Sequence, residues 1–501
     1  MLLLASTFVL VWHWKSTSRT RKALKRPPGP PHRFIIGNLL DVPIKEYHIG
    51  YAQLAKKYGP ILQLTLPTQT IVVLSSAKTA TDLLEKRGAI YSDRPPFHMM
   101  DLMGWDWILV LQRHGNTWRM RRKVLHTHLH IRANVKFEGL LTRTALIFAR
   151  RLLESPDLFI NHLRWTAAAN ILEAAYGIEI SLEGDPLVET AQAAMQSVEK
   201  VLIPGKYAVD SFPALKHIPK WFPGAKFKRD AEEWSKLADA ARNVPFSRAL
   251  QELRGTARHS VVADALRLRD DDEWKVAVKD AVGIMYIAGA DTTVSILKSF
   301  FLTMVQYPDI QHKAQDEIER VVGKNRLPTL SDRPSLQYVE ALMREIYRMY
   351  PVVPMGLPHA AEADDVYEGM FISKGTVVLA NVWAILHDPV VYPDPDVFNP
   401  ERFLQDGLLN DTVADPREAI FGFGRRICPG QHFADDSIYI VVVTVLSCFN
   451  LACIVKNGIE VVPSGEFDHQ FLSAPRPFEC AIVPRSAQVQ GLINQGLNFT
   501  S

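Results

Sequence analysis

Residues Phe421 to Gly430 read FGFGRRICPG. One thiol, Cys428, stands there between glycines, beside two arginines, and is followed at once by Pro429 and Gly430. The chain's four cysteines, Cys428, Cys448, Cys453 and Cys480, are sparse and late, and none gives Cys428 a metal-clamp spacing. They do not resemble a disulfide framework, and a reducing compartment is expected. A lone cysteine is by default a buried, inert hydrophobe. Only the rest of the chain can assign it more.

Working outward, 501 residues with 47% hydrophobic and 22% charged residues make an ordinary globular composition able to bury a large core. A formal net charge of +3 does not indicate a nucleic-acid partner. The N-terminus differs in kind. MLLLASTFVLVWHW, residues 1–14, is almost wholly apolar, and KSTSRTRKALKR after it carries six Lys/Arg and no acid. A cleaved signal peptide has its charges before the apolar run. The reverse order predicts a membrane anchor with the remaining chain on the cytosolic side, although the run is shorter than the ~20 residues that span a typical bilayer. PPGPP, residues 27–31, completes a basic and proline-rich hinge over 15–31. A domain over 32–485 and a polar tail over 486–501 follow.

YGPILQLTLPTQTIVVLSS alternates and is rich in β-branched residues, which predicts a small sheet. TATDLLEKRGAIY, WRMRRKVLHTHL, ARNVPFSRALQELRG and DIQHKAQDEIERVVG carry apolar residues at helical spacing. GTVVLAN and ECAIVPR read as late short strands. The expected fold class is mainly α with minor β-sheet, in one large domain.

Three further stretches carry chemistry. The run from Trp274 to Pro308 is apolar nearly all round and predicts a helix crossing the core. Inside it AGADTT, Ala288 to Thr293, is small or polar where a buried helix wants bulk. Two readings stand: a close helix–helix contact at small residues, or a local opening with a proton relay through Asp291 and Thr292. SLQYVEALMREIYRMYP places Glu345 and Arg348 at i,i+3 on one face. DPVVYPDPDVFNPERF is an irregular proline-rich segment that side-chain bonds must pin, with Arg402 as a third member for that pair.

Together these pieces resemble the cytochrome P-450 superfamily of haem-thiolate monooxygenases. Phe421, Gly424, Arg426, Cys428 and Gly430 match its F-x-x-G-x-R-x-C-x-G signature. Glu345 to Arg348 matches its E-x-x-R, FNPERF its meander, AGADTT its oxygen-activation motif and WRMRR its W-R-x-x-R, all in the family's order. The similarity covers roughly Pro27 to Arg485 and is nearest in character to basidiomycete enzymes of secondary metabolism. It implies haem b with the Cys428 thiolate as axial ligand; a thiolate pushes electron density onto the iron and favours O–O cleavage. It implies Phe421 against the porphyrin, Trp118, Arg122, His359 and Arg426 on the propionates, and Asp291 and Thr292 as proton carriers. Glu345, Arg348 and Arg402 become scaffold for the cysteine loop. The other three cysteines remain inert.

The resemblance also implies a hydrophobic small-molecule substrate, an NADPH-cytochrome reductase as electron donor, and an endoplasmic-reticulum membrane setting. Phe97, Met99, Met100, Met103, Trp105, Trp107 and Met285 are expected along the substrate site or in the core beside it. The stretch 202–224, with Phe212, Trp221 and Phe222, is the expected membrane-proximal loop. Arg119, Arg121 and Lys123 lie off the Trp118/Arg122 face and form an expected basic docking surface. Two other readings of the same motifs are an oxygen-independent haem-thiolate isomerase or dehydratase, and a haem-binding protein without turnover. The intact Asp291–Thr292 pair speaks against the first, the complete motif set against the second.

Overall fold

The computed structural model describes residues 24–202, 206–253, 259–469 and 471–500. The expected anchor, residues 1–14, and residues 15–23 of the hinge lie outside them. The described chain gathers into two compact units, each assembled from separated stretches: 24–95 with 355–385 and 423–426, and 96–354 with 386–422 and 427–500.

The first unit is built on a sheet. Helix α1 (Tyr47–Tyr58) leads into β1 (Ile61–Thr65) and β2 (Thr70–Leu74), and β3 (His359–Ala360) and β4 (Val377–Ala380) complete the order β1-β2-β4-β3. β1 and β2 are antiparallel with Leu62 opposite Val73, whereas β4 runs parallel to β2. Leu62, Leu64, Ile71, Val73 and Val377 pack with Tyr51 of α1 into one core. The proline hinge is no free spacer: Gln63 donates its N–H to the Pro28 carbonyl at 2.8 Å, and Gly29 lies against the Gln63 carbonyl so closely that a Cβ would come within 2.0 Å.

The second unit is helical. Its helices are α2 (His98–Leu102), α3 (Asn116–Leu129), α4 (Glu138–Glu154), α5 (Phe159–Tyr176), α6 (Pro186–Val201), α7 (Lys226–Glu252), α8 (Val261–Leu268) and α9 (Asp272–Gln306). They are followed by α10 (Pro308–Val322), α11 (Gln337–Met349), α12 (Gln431–Cys448) and α13 (Val489–Thr500), with β5 (Phe449–Ala452) and β6 (Ala481–Pro484) paired antiparallel. Helix α9 starts where the Asp271 side chain accepts the Trp274 N–H and stops before Pro308. Helices α3, α5, α6, α7, α8 and α12 all pack on it. Among the described residues it is the one helix long and apolar enough to cross a membrane, yet it is core. The predicted polar tail is instead α13, held by buried Val489 and Ile493 against α4.

Candidate active site

The cysteine loop of the second unit is fixed from two sides. Cys428 donates its N–H to the Phe421 carbonyl at 2.7 Å, and Arg122 of α3 donates Nη1 to the Ile427 carbonyl at 2.5 Å. Burial pushes the Cys428 thiol up, against which the Gly430 N–H and the Arg122 charge favour the thiolate. Cys428 keeps accessible surface, while Cys448 and Cys480 are buried and pushed up to about 12. Those two keep the inert assignment. The Phe421 ring meets Tyr347 edge-on at 6.2 Å. Trp118, on the Arg122 face of α3, is buried and packs on His114 at 5.3 Å.

In the first unit Arg94, His359 and Arg426 form a cationic group. Arg94 is buried and donates Nη1 to the Leu357 and Pro358 carbonyls; Arg426 donates Nε to the Ser92 carbonyl. Buried His359 bonds the Tyr91 carbonyl through Nδ1 at 2.7 Å. Burial, then Arg94 and Arg426, hold its imidazolium form down, and burial and Arg426 lower Arg94, opposed by the buried Asp93. With Nδ1 donating to the backbone, Nε2 carries a proton only in the imidazolium, which a nearby carboxylate would favour. Gathered cations that destabilise one another fit the propionate end of haem. Arg94 was not legible in the sequence, where it is one arginine of SDRPP. In the same unit Gly424 (φ +53°) takes a backbone shape that disfavours a side chain, and a Cβ there would come within 2.5 Å of the Leu84 carbonyl.

Helix α9 stays regular through AGADTT. Thr292 donates to the Ala288 carbonyl at 2.9 Å, Thr293 to Gly289 at 2.8 Å and Ser295 to Asp291 at 2.8 Å. A Cβ on Gly289 would fall 2.0 Å from Cδ1 of Ile171 on α5, so the close-contact reading holds for that glycine. The Asp291 carboxyl is raised by burial, opposed by Arg164 of α5. A second acid, Glu199 of α6, is pushed up to about 7 by burial and then by Asp291. Nothing in the sequence singled it out.

The scaffold residues come together as expected, but in the interior. Glu345 and Arg348 are both 0% exposed and joined by two bonds of 2.7 and 2.8 Å. Arg402 reaches Glu345 at 3.2 Å, and the two arginines take the carbonyls of Leu386, Pro393, Asp394, Pro395 and Val397. The irregular segment is thereby pinned. A second network was not foreseen: Arg333 and Arg417 both bind Glu340 and Asp435, and Tyr347 donates to Asp435. One expectation is corrected. Arg121 is no docking residue; it is buried and lies 2.5 Å from the buried Asp280 carboxylate of α9, leaving Arg119 and Lys123 exposed.

The family model described as cytochrome P-450 matches residues 27–482. Similar proteins include cytochrome P-450 monooxygenase COX2 of Coprinopsis cinerea, 39% identical over 479 residues, covering 94% of this chain and 91% of that one. Cytochrome P-450 monooxygenase 208 of Postia placenta is 40% identical, covering 93% and 92%. Cytochrome P-450 monooxygenase ple1 of Rhodocybe pseudopiperita is 39% identical, covering 96% and 94%.

Proposed function

The chain belongs to the cytochrome P-450 family of monooxygenases, and from that premise we propose a membrane-anchored enzyme that inserts one oxygen atom from O2 into a hydrophobic small molecule. The substrate class is terpenoid, polyketide or aromatic, the electrons come from NADPH through a cytochrome reductase, and the setting is the endoplasmic-reticulum membrane in secondary metabolism or xenobiotic oxidation. The observation that carries this reading is the Cys428 loop, where Gly430 and Arg122 oppose the burial that raises the thiol and Arg122 also fixes the loop backbone.

Cys428 would bind the haem iron; Trp118 and Arg122, and in the first unit Arg94, His359 and Arg426, would hold the propionates. Bound haem supplies the redox centre at which O2 is reduced and one oxygen atom is transferred. The chain's own residues supply protons and exclude water. Burial raises the Asp291 carboxyl, opposed by Arg164, which favours its proton-carrying form relative to an exposed aspartate. Thr292, donating its hydroxyl proton to Ala288, leaves its oxygen lone pairs free to accept one. Exposed Phe212, Trp221 and Phe222 suit the membrane side, and Arg119 and Lys123 an acidic reductase.

The test is the reduced, carbon-monoxide difference spectrum of the full chain beside Cys428→Ala. The expected result is the family's thiolate Soret band, lost in the variant. A histidine-type band, or a thiolate band surviving the substitution, would refute Cys428 as ligand.

A further inference from the structure

Helix α9 carries a second polar group two turns before Ala288, roughly 12 Å away along the axis. There Asp280, 0% exposed, is shared by two guanidiniums: Arg242 of α7 holds Oδ1 at 2.6 Å and Arg121 of α3 lies 2.5 Å from Oδ2. Arg242 stands over the Trp107 ring at 5.6 Å, and Trp105 packs beside Trp107 at 5.3 Å. Gly283 makes room for that indole, since a Cβ would come within 2.8 Å of it. Lys279, bonded to Asn243, adds another positive charge, lowered by burial and by Arg242.

The cluster is rich in donors that bond nothing. Nε and Nη1 of Arg121 and the indole N–H groups of Trp105 and Trp107 are all buried without an acceptor, and Oδ2 of Asp280 is the one acceptor of the cluster that likewise takes no hydrogen bond. Arg121 is only 7% exposed, and the two tryptophans 1% and 2%. Buried donors in native proteins almost always find partners, and each one left bare costs about 1–3 kcal/mol. The charge is unbalanced as well, with Arg121, Arg242 and Lys279 against Asp280 and Asp239. Water would satisfy N–H groups but not the charge. A carboxylate does both, offering four lone-pair sites and one negative charge.

We propose that Arg121, with the Trp105 and Trp107 indoles, forms the polar end of the substrate site and binds the carboxylate of an otherwise apolar substrate. This rests on the monooxygenase reading and narrows it, from any hydrophobic molecule to an acid whose charged end lies roughly 12 Å along α9 from the oxygen-activating turn. Fully buried Met99, Met100 and Met103 of the segment leading to Trp105 supply adaptable apolar surface for such a body.

The experiment compares matched pairs on the full-length holoprotein by calorimetry: dodecanoate against dodecanol, and a tricyclic diterpene acid against its alcohol. In at least one pair the acid should bind about ten-fold more tightly, the scale of a charge-assisted bond. Arg121→Gln should abolish the preference and leave the alcohol's affinity unchanged. Asp280→Asn breaks a buried pair and should lower the yield of haem-loaded protein, but in the haem-loaded fraction it should strengthen acid binding, because the competing carboxylate is gone, whereas a merely structural role for this cluster would weaken acid and alcohol alike there. Trp107→Phe keeps the ring against Gly283 and loses one N–H, so a smaller loss confined to the acid is expected. Equal binding within every pair, no acid bound at all, or Asp280→Asn weakening acid and alcohol together overturns the proposal. The carbon-monoxide spectrum of the same samples reports separately on the haem-thiolate reading.

Discussion

Gly289→Ala separates the two readings of AGADTT. The added methyl would lie 2.0 Å from Cδ1 and 3.4 Å from Cγ1 of Ile171. Only the first contact is prohibitive, and it is with the far end of a side chain held in a packed interior. Overpacking of this kind costs about 1–3 kcal/mol, set against about 1 kcal/mol gained from alanine over glycine in a helix. Ile171→Val removes the clashing atom at its own cost of about 0.5–1.5 kcal/mol. The pair should therefore be coupled by about 1–3 kcal/mol, with the double variant near wild type and more stable than Gly289→Ala alone. Denaturant unfolding of the four holoproteins, followed by circular dichroism, measures this. Simple additivity within about 0.5 kcal/mol would refute the packing account. The fraction of NADPH oxidation that yields product is the second readout. If Gly289 serves packing only, the double variant recovers it; a stable but uncoupled double variant would show that the helix needs glycine for an opening as well.

Other outcomes follow from single contacts. Glu345→Gln leaves Arg348 and Arg402 buried beside a neutral amide, and breaking a buried pair from one side costs about 3–5 kcal/mol; the yield of haem-loaded protein should fall sharply. Glu199 is raised to about 7 in the folded chain, by burial and then by Asp291, so the native state binds the extra proton and its contribution to stability is lost as pH rises from the ordinary glutamate range through about 7. Glu199→Gln should flatten the fall in unfolding midpoint over that window, and an unchanged slope would contradict it. Arg119→Glu should raise the reductase concentration needed for half-maximal rate at low salt, an effect that high salt suppresses.

The fold and the cysteine loop were legible because both depend on local signals. A glycine-rich turn and a proline stop act within a few residues, and the alternation in LQLTLPTQTIVVL matches the strand pairing of Leu62 with Val73. Arg402 was legible because an irregular segment must be pinned, and it does reach Glu345. The misses all depend on a partner distant in sequence. Arg94 joins His359 and Arg426 only after the sheet forms, and Glu199 meets Asp291 only because α6 packs on α9. The C-terminal residues looked polar because one buried isoleucine and one valine suffice to dock α13.

Helix α3 shows the same limit within one turn. Successive residues project about 100° apart, so Arg119, Arg121 and Arg122 meet three different surroundings. Arg119 is exposed, Arg122 reaches the cysteine loop, and Arg121 is buried. Spacing correctly separated Arg121 from the Trp118/Arg122 face, but it could not decide between solvent and interior. Burial of a guanidinium is costly unless an acid or backbone carbonyls answer it, and for Arg121 the answer is Asp280 on another helix. Since Asp280 also answers Arg242, the burial is only half compensated, and the unbonded donors of Arg121 remain. A basic run therefore carries two opposite meanings: cations in water steer a protein partner, whereas one cation held in the interior with donors to spare selects the charge of a ligand. Only the position of Asp280 distinguishes them.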